Sequence, residues 1–328
     1  MVMLTHPSSQ KIDFSRGYPL ALASAAILAT TAIFIRHLTL TYEIPALVLA
    51  TWRDGFVAIT LLFVLGIFRP TSLRIDQQHL RYLIAYGLVL AVFNSLWTQS
   101  VVLNGAAVST VLAYCSAGFT AILARLLLNE RLDFIKLVSV FFSLSGSVLV
   151  ANALDPLAWS ANTTGILIGI FSGLCYAAYS LMGRSAAQRG LNSWTTILYT
   201  FGFATLFLVV FNLFLGDIFP GSASSTNDFL WLGQAWMGWL ILFLLAAGPT
   251  VLGFGLYNKS MTYLPSSVAN IVLTLEPVFT TILAYFLFGE MLSGLQIFGG
   301  VLIMCGVLLL RLQESIRETQ IALVGPGQ

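Results

Sequence analysis

Two adjacent pairs of residues are the first places where chemistry could reside. Glu276-Pro277 and Arg53-Asp54 each interrupt a long apolar run. A charged side chain in such a run is unfavourable by about 2.5–3.5 kcal/mol on membrane-insertion scales, so it must face a bundle interior, water or a partner. Pro277 supplies no backbone N–H and leaves the carbonyl of Leu273 without its helical partner. Carboxylate and freed carbonyl together suit a cavity wall, with Pro277 as a hinge. The competing reading of Glu276 is a strut, hydrogen-bonded across helices. Arg53 and Asp54 are successive on a helix and point about 100° apart, so they are expected not to neutralise each other simply. Arg53 is then available to a substrate carboxylate or to Glu276, unless it reaches for the outer interface.

A set of aromatic and amide residues accompanies these charges. Asn94, Trp97, Thr98 and Val101 recur at helical spacing and share one face. Tyr114 and Ser116 follow, then Tyr176, Tyr179 and Ser180, then Tyr257 and Asn258, then Asn270 and Thr274. Aromatic faces with a few hydroxyls and amides suit an amphipathic solute, aromatic or zwitterionic. For any one residue ordinary packing competes, and for Trp97 so does an interfacial belt. The candidate cavity residues are therefore Arg53, Asn94, Trp97, Tyr114, Tyr176, Tyr179, Tyr257, Asn270, Thr274 and Glu276. Enzyme signatures are absent: His6, His37 and His79 are dispersed, and Cys115, Cys175 and Cys305 sit in apolar runs as small hydrophobes. No catalytic residue, metal or cofactor is expected. Asn162-Thr163-Thr164 fits a short glycosylation sequon.

The elements that position these residues follow from composition. The chain has 328 residues, 58% of them hydrophobic and 9% charged, against about 25% charged in soluble domains. Its mean hydropathy is +0.90. Too few polar residues exist to cover a soluble core, so lipid is the solvent. A net charge of +2 gives no reason to expect a nucleic-acid partner. A span needs roughly 20 apolar residues. Ten candidates result, at approximately 17–37, 45–68, 80–103, 106–128, 135–154, 163–184, 194–216, 236–257, 265–288 and 292–311. Unbroken apolar runs without alternation imply helices rather than barrel strands. The run from Gly17 lacks an obvious cleavage site and reads as a retained first span.

Charge sorting orients the spans. With the N-terminus cytoplasmic, Lys11, Arg16, Arg69, Arg74, Arg81, Arg125, Arg131, Lys136, Arg184, Arg189, Lys259, Arg311 and Arg317 fall inside, whereas Glu43, Asp155, Asp217, Asp228 and Glu290 fall outside. Cytoplasmic loops collect basic residues in this way. Arg36 alone is a basic residue on the wrong side, and both termini are expected in the cytoplasm.

The chain also repeats. A shift of 160 residues aligns 100–149 with 260–309 without a gap, matching Phe119/Phe279, Glu130/Glu290 and Gly146/Gly306 among others. A weaker alignment at 148 pairs Gly17/Gly165, Ser24/Ser172, Ala29/Ala177 and Arg36/Arg184. Each repeat holds five spans, an odd number, so the second is inverted relative to the first. Inverted repeats meeting near the midplane are recurrent in secondary transporters. Small residues at every fourth position, Ala21, Ala25 and Ala29 and then Gly165, Gly169, Gly173 and Ala177, read as helix-packing surfaces matched between the halves.

The stretch Thr274-Leu275-Glu276-Pro277-Val278, then Phe288-Gly289-Glu290, Gln296, Gly299 and Cys305-Gly306-Val307, resembles the C-terminal signature of the EamA family of the drug/metabolite transporter superfamily. The N-terminal copy keeps Asn129-Glu130-Arg131-Leu132 but has Ser116-Ala117 where the signature has Glu-Pro. The resemblance implies an all-α membrane protein of ten transmembrane helices in two inverted five-helix repeats, 17–154 and 163–312, between cytoplasmic tails 1–16 and 313–328. It further implies a bacterial inner-membrane protein that exports or exchanges amino acids or other small metabolites. A membrane-embedded enzyme, a lipid-handling protein and a passive channel are the alternatives. The expected partners are a small-molecule substrate and the bilayer, and the sequence favours neither monomer nor homodimer.

Overall fold

A computed structural model of the chain describes residues 13–130, 132–150, 154, 163–214, 222–223, 225–288 and 293–324. Side chains at 101–111, Arg36 and Pro277, among others within helices, lie outside that description, as do Glu290, Asp155, Asp217, Arg131 and the Asn162 sequon position. The described residues form α1 (Phe14–Tyr42), α2 (Ala46–Phe68), α3 (Gln77–Tyr114), α4 (Ser116–Leu127), α5 (Phe134–Val150) and α6 (Thr163–Gln188). They continue with α7 (Ser193–Phe214), α8 (Trp236–Leu245), α9 (Val251–Ser260), α10 (Ser266–Leu273), α11 (Glu276–Phe288) and α12 (Gly294–Val324). No strand occurs among them.

Among the described residues, six stretches are long and apolar enough to cross a membrane: Phe14–Thr39, Ala46–Phe68, Gln77–Ser100, Thr164–Gln188, Ser193–Phe214 and Trp236–Ser260. The shorter apolar helices Leu112–Leu127, Phe134–Leu149 and Gly294–Leu309 fall where the fourth, fifth and tenth spans are expected. Three departures from ten simple rods have identifiable causes. Between α8 and α9 the helix widens into a π turn, Ala246–Thr250, around Pro249, because a proline ring cannot accept the regular ladder. The ninth span breaks at Thr274-Leu275 into α10 and α11, which places Pro277 at the second residue of a new helix, where a missing N–H is harmless. Third, α3 stays helical through 104–105, where a loop is expected. A Cβ added at Gly169 would nevertheless lie 2.7 Å from Ser100 Oγ and 2.5 Å from Leu112 Cδ1. Twelve residues of straight helix cover about 18 Å. Both side chains reach Gly169, so α3 does not run as a straight rod between Ser100 and Leu112.

The repeat has a structural counterpart. α4 and α11 begin at Ser116 and Glu276, α5 and α12 at Phe134 and Gly294, all 160 residues apart. α6 and α7 begin within a residue of α1 and α2 shifted by 148. Contacts pair accordingly: α2 with α7, and α5 with α12. The first helix of each repeat crosses to the other half, α1 lying on α9, α10 and α11 while α6 lies on α3 and α4. The small residues make this possible. Ala21, Ala25, Ala29 and Ala177 are wholly buried, and a Cβ at Gly173 would sit 2.8 Å from the carbonyl of Leu112.

The match Gly146/Gly306 has a physical reason. A Cβ at Gly146 would stand 2.5 Å from the carbonyl oxygen of Gly299, and one at Gly306 would stand 2.9 Å from that of Ser139. Ser139 and Gly299 are themselves 160 apart, so the α5–α12 contact is reciprocal, as a two-fold relation between repeats requires. Gly146→Ala and Gly306→Ala should each cost about 1–3 kcal/mol, the range for overpacking. Thermal unfolding in detergent checks this against Gly118→Ala, whose added Cβ meets only Leu144 and Val140 side chains at 3.6 and 3.8 Å. Equal unfolding temperatures in all three would remove the close-approach argument.

Candidate functional site

α2 and α3 bring the first charged cluster together. Asp54 is fully buried and Asn94 nearly so, while Arg53 keeps 7% exposure. The expectation that adjacent Arg53 and Asp54 would not neutralise each other is corrected here. The flexible arginine stem folds back along its helix, so that Nε and Nη2 both donate to Asp54 Oδ1, at 3.1 and 3.0 Å. Asn94 Nδ2 donates to the other oxygen, Oδ2, at 2.7 Å. A 100° divergence of Cα–Cβ directions does not separate a pair when one member carries a long, bendable side chain.

Beside this cluster α3, α6 and α9 assemble an aromatic core. The Tyr176 ring stacks on Tyr179 at 6.1 Å and on Tyr257 at 6.2 Å, with Phe93 at 5.0 Å. Tyr86 and Tyr179 approach to 4.8 Å. Asn258 ties the rings together: its Oδ1 accepts from the Tyr86 hydroxyl at 3.4 Å and its Nδ2 donates to the Tyr179 hydroxyl at 3.1 Å. Ser180 Oγ and the Tyr257 hydroxyl share a hydrogen bond of 2.6 Å, and the Asn270 side chain lies near Tyr257. Tyr86, Tyr179 and Tyr257 are fully buried. Asn94 directly follows Phe93, whose ring approaches Tyr176, and this joins the two clusters.

Glu276 opens α11, just beyond the break. It faces the Tyr114 hydroxyl, contributed by the end of α3, and lies near Tyr176. This is a contact between repeats, since Tyr114 belongs to the first and Glu276 to the second. Thr274 is buried, but its hydroxyl turns back to the carbonyl of Ile271 at 2.6 Å. Trp97 packs against the same apolar core, yet among the described residues it stacks on none of the tyrosines. The structure thus gathers Arg53, Asn94, Tyr114, Tyr176, Tyr179, Tyr257, Asn270 and Glu276, and leaves Trp97 and Thr274 at the margin.

Sequence reasoning passed over Tyr86 and Phe93. Their spacing with Trp97, seven residues and then four, already places all three on one face of α3. It also left Glu130 as a loop charge among basic residues. Its carboxylate instead reaches the start of α10: Oε1 accepts from Ser266 N at 2.9 Å and Ser266 Oγ at 2.8 Å, and Oε2 accepts from Ser267 Oγ at 2.6 Å and Ser267 N at 3.4 Å. A carboxylate there satisfies free amides and complements the helix dipole. Arg184, also assigned to a loop edge, is buried nearby and donates through Nη1 to the carbonyl of Met261 at 2.6 Å. A cavity of about 410 Å³ opens elsewhere, between the α2–α3 and α6–α7 connections, and is lined by Arg74, Asp76, His79 and Arg189 but by none of the candidates.

The profile of the EamA-like transporter family matches residues 15–152 and 163–312. An uncharacterized transporter of Archaeoglobus fulgidus is 27% identical over 87% of this chain and 93% of its own length. The uncharacterized transporter YyaM of Bacillus subtilis is 26% identical over 79% of this chain and 82% of its own. The threonine/homoserine exporter RhtA of Salmonella typhimurium is also 26% identical, over 81% of this chain and 82% of its own. One solved crystal structure superposes with a TM-score of 0.71. It covers 92% of this chain and 98% of its own, and its 17% identity speaks to the fold alone.

Proposed function

The chain belongs to the EamA-like transporter family, and from that premise we propose that it exports or exchanges a small amphipathic metabolite, an amino acid or related solute, by alternating access between its two repeats. The observation that carries this reading is the closed polar centre. Tyr86, Phe93 and Tyr114 of the first half meet Tyr179, Asn258, Tyr176 and Glu276 of the second inside a packed bundle. A solute can enter only by separating the halves, which is the behaviour of a carrier rather than of an open channel. The similarity to a threonine/homoserine exporter supports the amino-acid class. Export from a bacterial cytoplasm, with both termini inside, accords with the sorting of basic residues.

Counterflow in proteoliposomes tests the proposal. Vesicles preloaded with one amino acid should accumulate its labelled form against a zero net gradient, and a panel of amino acids would find the exchanged ones. Linear, non-saturating uptake without counterflow would identify a channel and sink the carrier reading.

In this reading Glu130 closes the cytoplasmic side. It links the α4–α5 connection of the first repeat to α10 of the second, and α10 ends beside the Glu276 break. Losing this cap in Glu130→Ala should cost about 1–2 kcal/mol, speeding amide exchange at Ser266 and Ser267 roughly five- to thirtyfold if they exchange by local opening. Hydrogen exchange with peptide resolution reads this directly. Unchanged protection of the first turn of α10 would show that the contact holds nothing shut.

A further inference from the structure

We infer that Arg53 and Asp54 form a self-neutralising recognition pair for a zwitterion, closed on each other while the site is empty and opened by a solute carrying both a carboxylate and an ammonium. The inference deepens the transport reading above and rests on it. Its basis is the geometry of the pair. Both arginine donors converge on one carboxylate oxygen, Oδ1, while Oδ2 is engaged by Asn94. Arg53 therefore does not make the two-oxygen fork that guanidinium and carboxylate prefer. A solute carboxylate, free to present both its oxygens, can complete that fork. Arginine has five N–H donors, of which the pair uses the two on Nε and Nη2, and its residual 7% exposure leaves the group within reach of an entering solute.

Asn94 supplies the second half of the argument. Its hydrogen bond to Oδ2 fixes the Asp54 carboxylate independently of Arg53. When Arg53 swings to a solute, Asp54 stays in place as an acceptor for the ammonium, and the charges inside the bundle remain balanced. The partly buried Tyr176, whose ring approaches Phe93 beside Asn94, offers an aromatic face to the rest of the solute or to its cation. Glu276, the other carboxylate facing this core, is held by Tyr114 across the aromatic stack. Stability alone does not explain the pair, because apolar replacement of a buried ion pair is often neutral or stabilising.

The test begins with the wild-type protein. Purified protein is screened for thermal stabilisation by the standard L-amino acids, and the best binder is compared with its methyl ester, which lacks the carboxylate, and its N-acetyl form, which lacks the ammonium. Each blocked form should bind at least about tenfold more weakly, since a lost charge-assisted hydrogen bond exceeds the 1.4 kcal/mol that a factor of ten represents. In Arg53→Gln/Asp54→Asn, which keeps the shape without the charges, the amino acid and its blocked forms should bind alike. Equal binding of all three forms to the wild-type protein overturns the inference and leaves the carrier reading standing. So does counterflow of an uncharged solute when no amino acid binds. Absence of any counterflow instead removes the carrier reading and the inference with it.

Discussion

Asp54→Ala should be among the most destabilising single substitutions in this chain, by about 3–5 kcal/mol, because it strands a buried guanidinium without its counter-charge. Arg53 keeps only 7% exposure, and among the described residues both of its hydrogen bonds end on Asp54. The Asn94 amide would lose its acceptor as well. Removing both charges together, as Arg53→Leu/Asp54→Ala, should recover most of the loss, since no ion is then left unpaired. Thermal or denaturant unfolding of the two single variants and the double in detergent gives the coupling energy. Additive losses across that cycle, or an Asp54→Ala protein as stable as wild type, would mean that Arg53 finds water or another partner with ease.

Glu276→Gln should have its effect on turnover instead. Glutamine preserves size and can still meet the Tyr114 hydroxyl, so fold and expression should stay near wild type. What is lost is the charge on a contact that joins the repeats beside a helix break. A hydrogen bond to a charged group contributes about 1.5–3 kcal/mol, so transport should fall roughly ten- to hundredfold if that contact is remade in each cycle. A carboxyl that exchanges a proton during the cycle would also confer a pH dependence that the amide cannot. Rates measured in proteoliposomes across a pH series, normalised to reconstituted protein, separate the possibilities. A wild-type rate at every pH would leave Glu276 as a strut between α11 and α3.

What the sequence determined by itself is what depends on solvent and on chain period. An apolar run of span length selects lipid and helix wherever it occurs, so the helical membrane class was legible from composition. The 160-residue register was equally legible, because matched residues such as Gly146 and Gly306 serve one geometric purpose in both copies. Pro277 announced the break that separates α10 from α11. The aromatic set was recognisable as a set, since helical spacing puts its members on common faces. Only the tertiary structure decided who meets whom. Glu130 finds Ser266 and Ser267 across 136 and 137 residues of chain, and no local pattern encodes a distance of that kind. Likewise α1 and α6 exchange places between the halves, a choice made by close approach at small residues rather than by hydropathy. The union of Arg53 with its own neighbour turned on side-chain flexibility. Backbone periodicity argued against that union, and it became visible only once Asn94 of another helix held Asp54 in place.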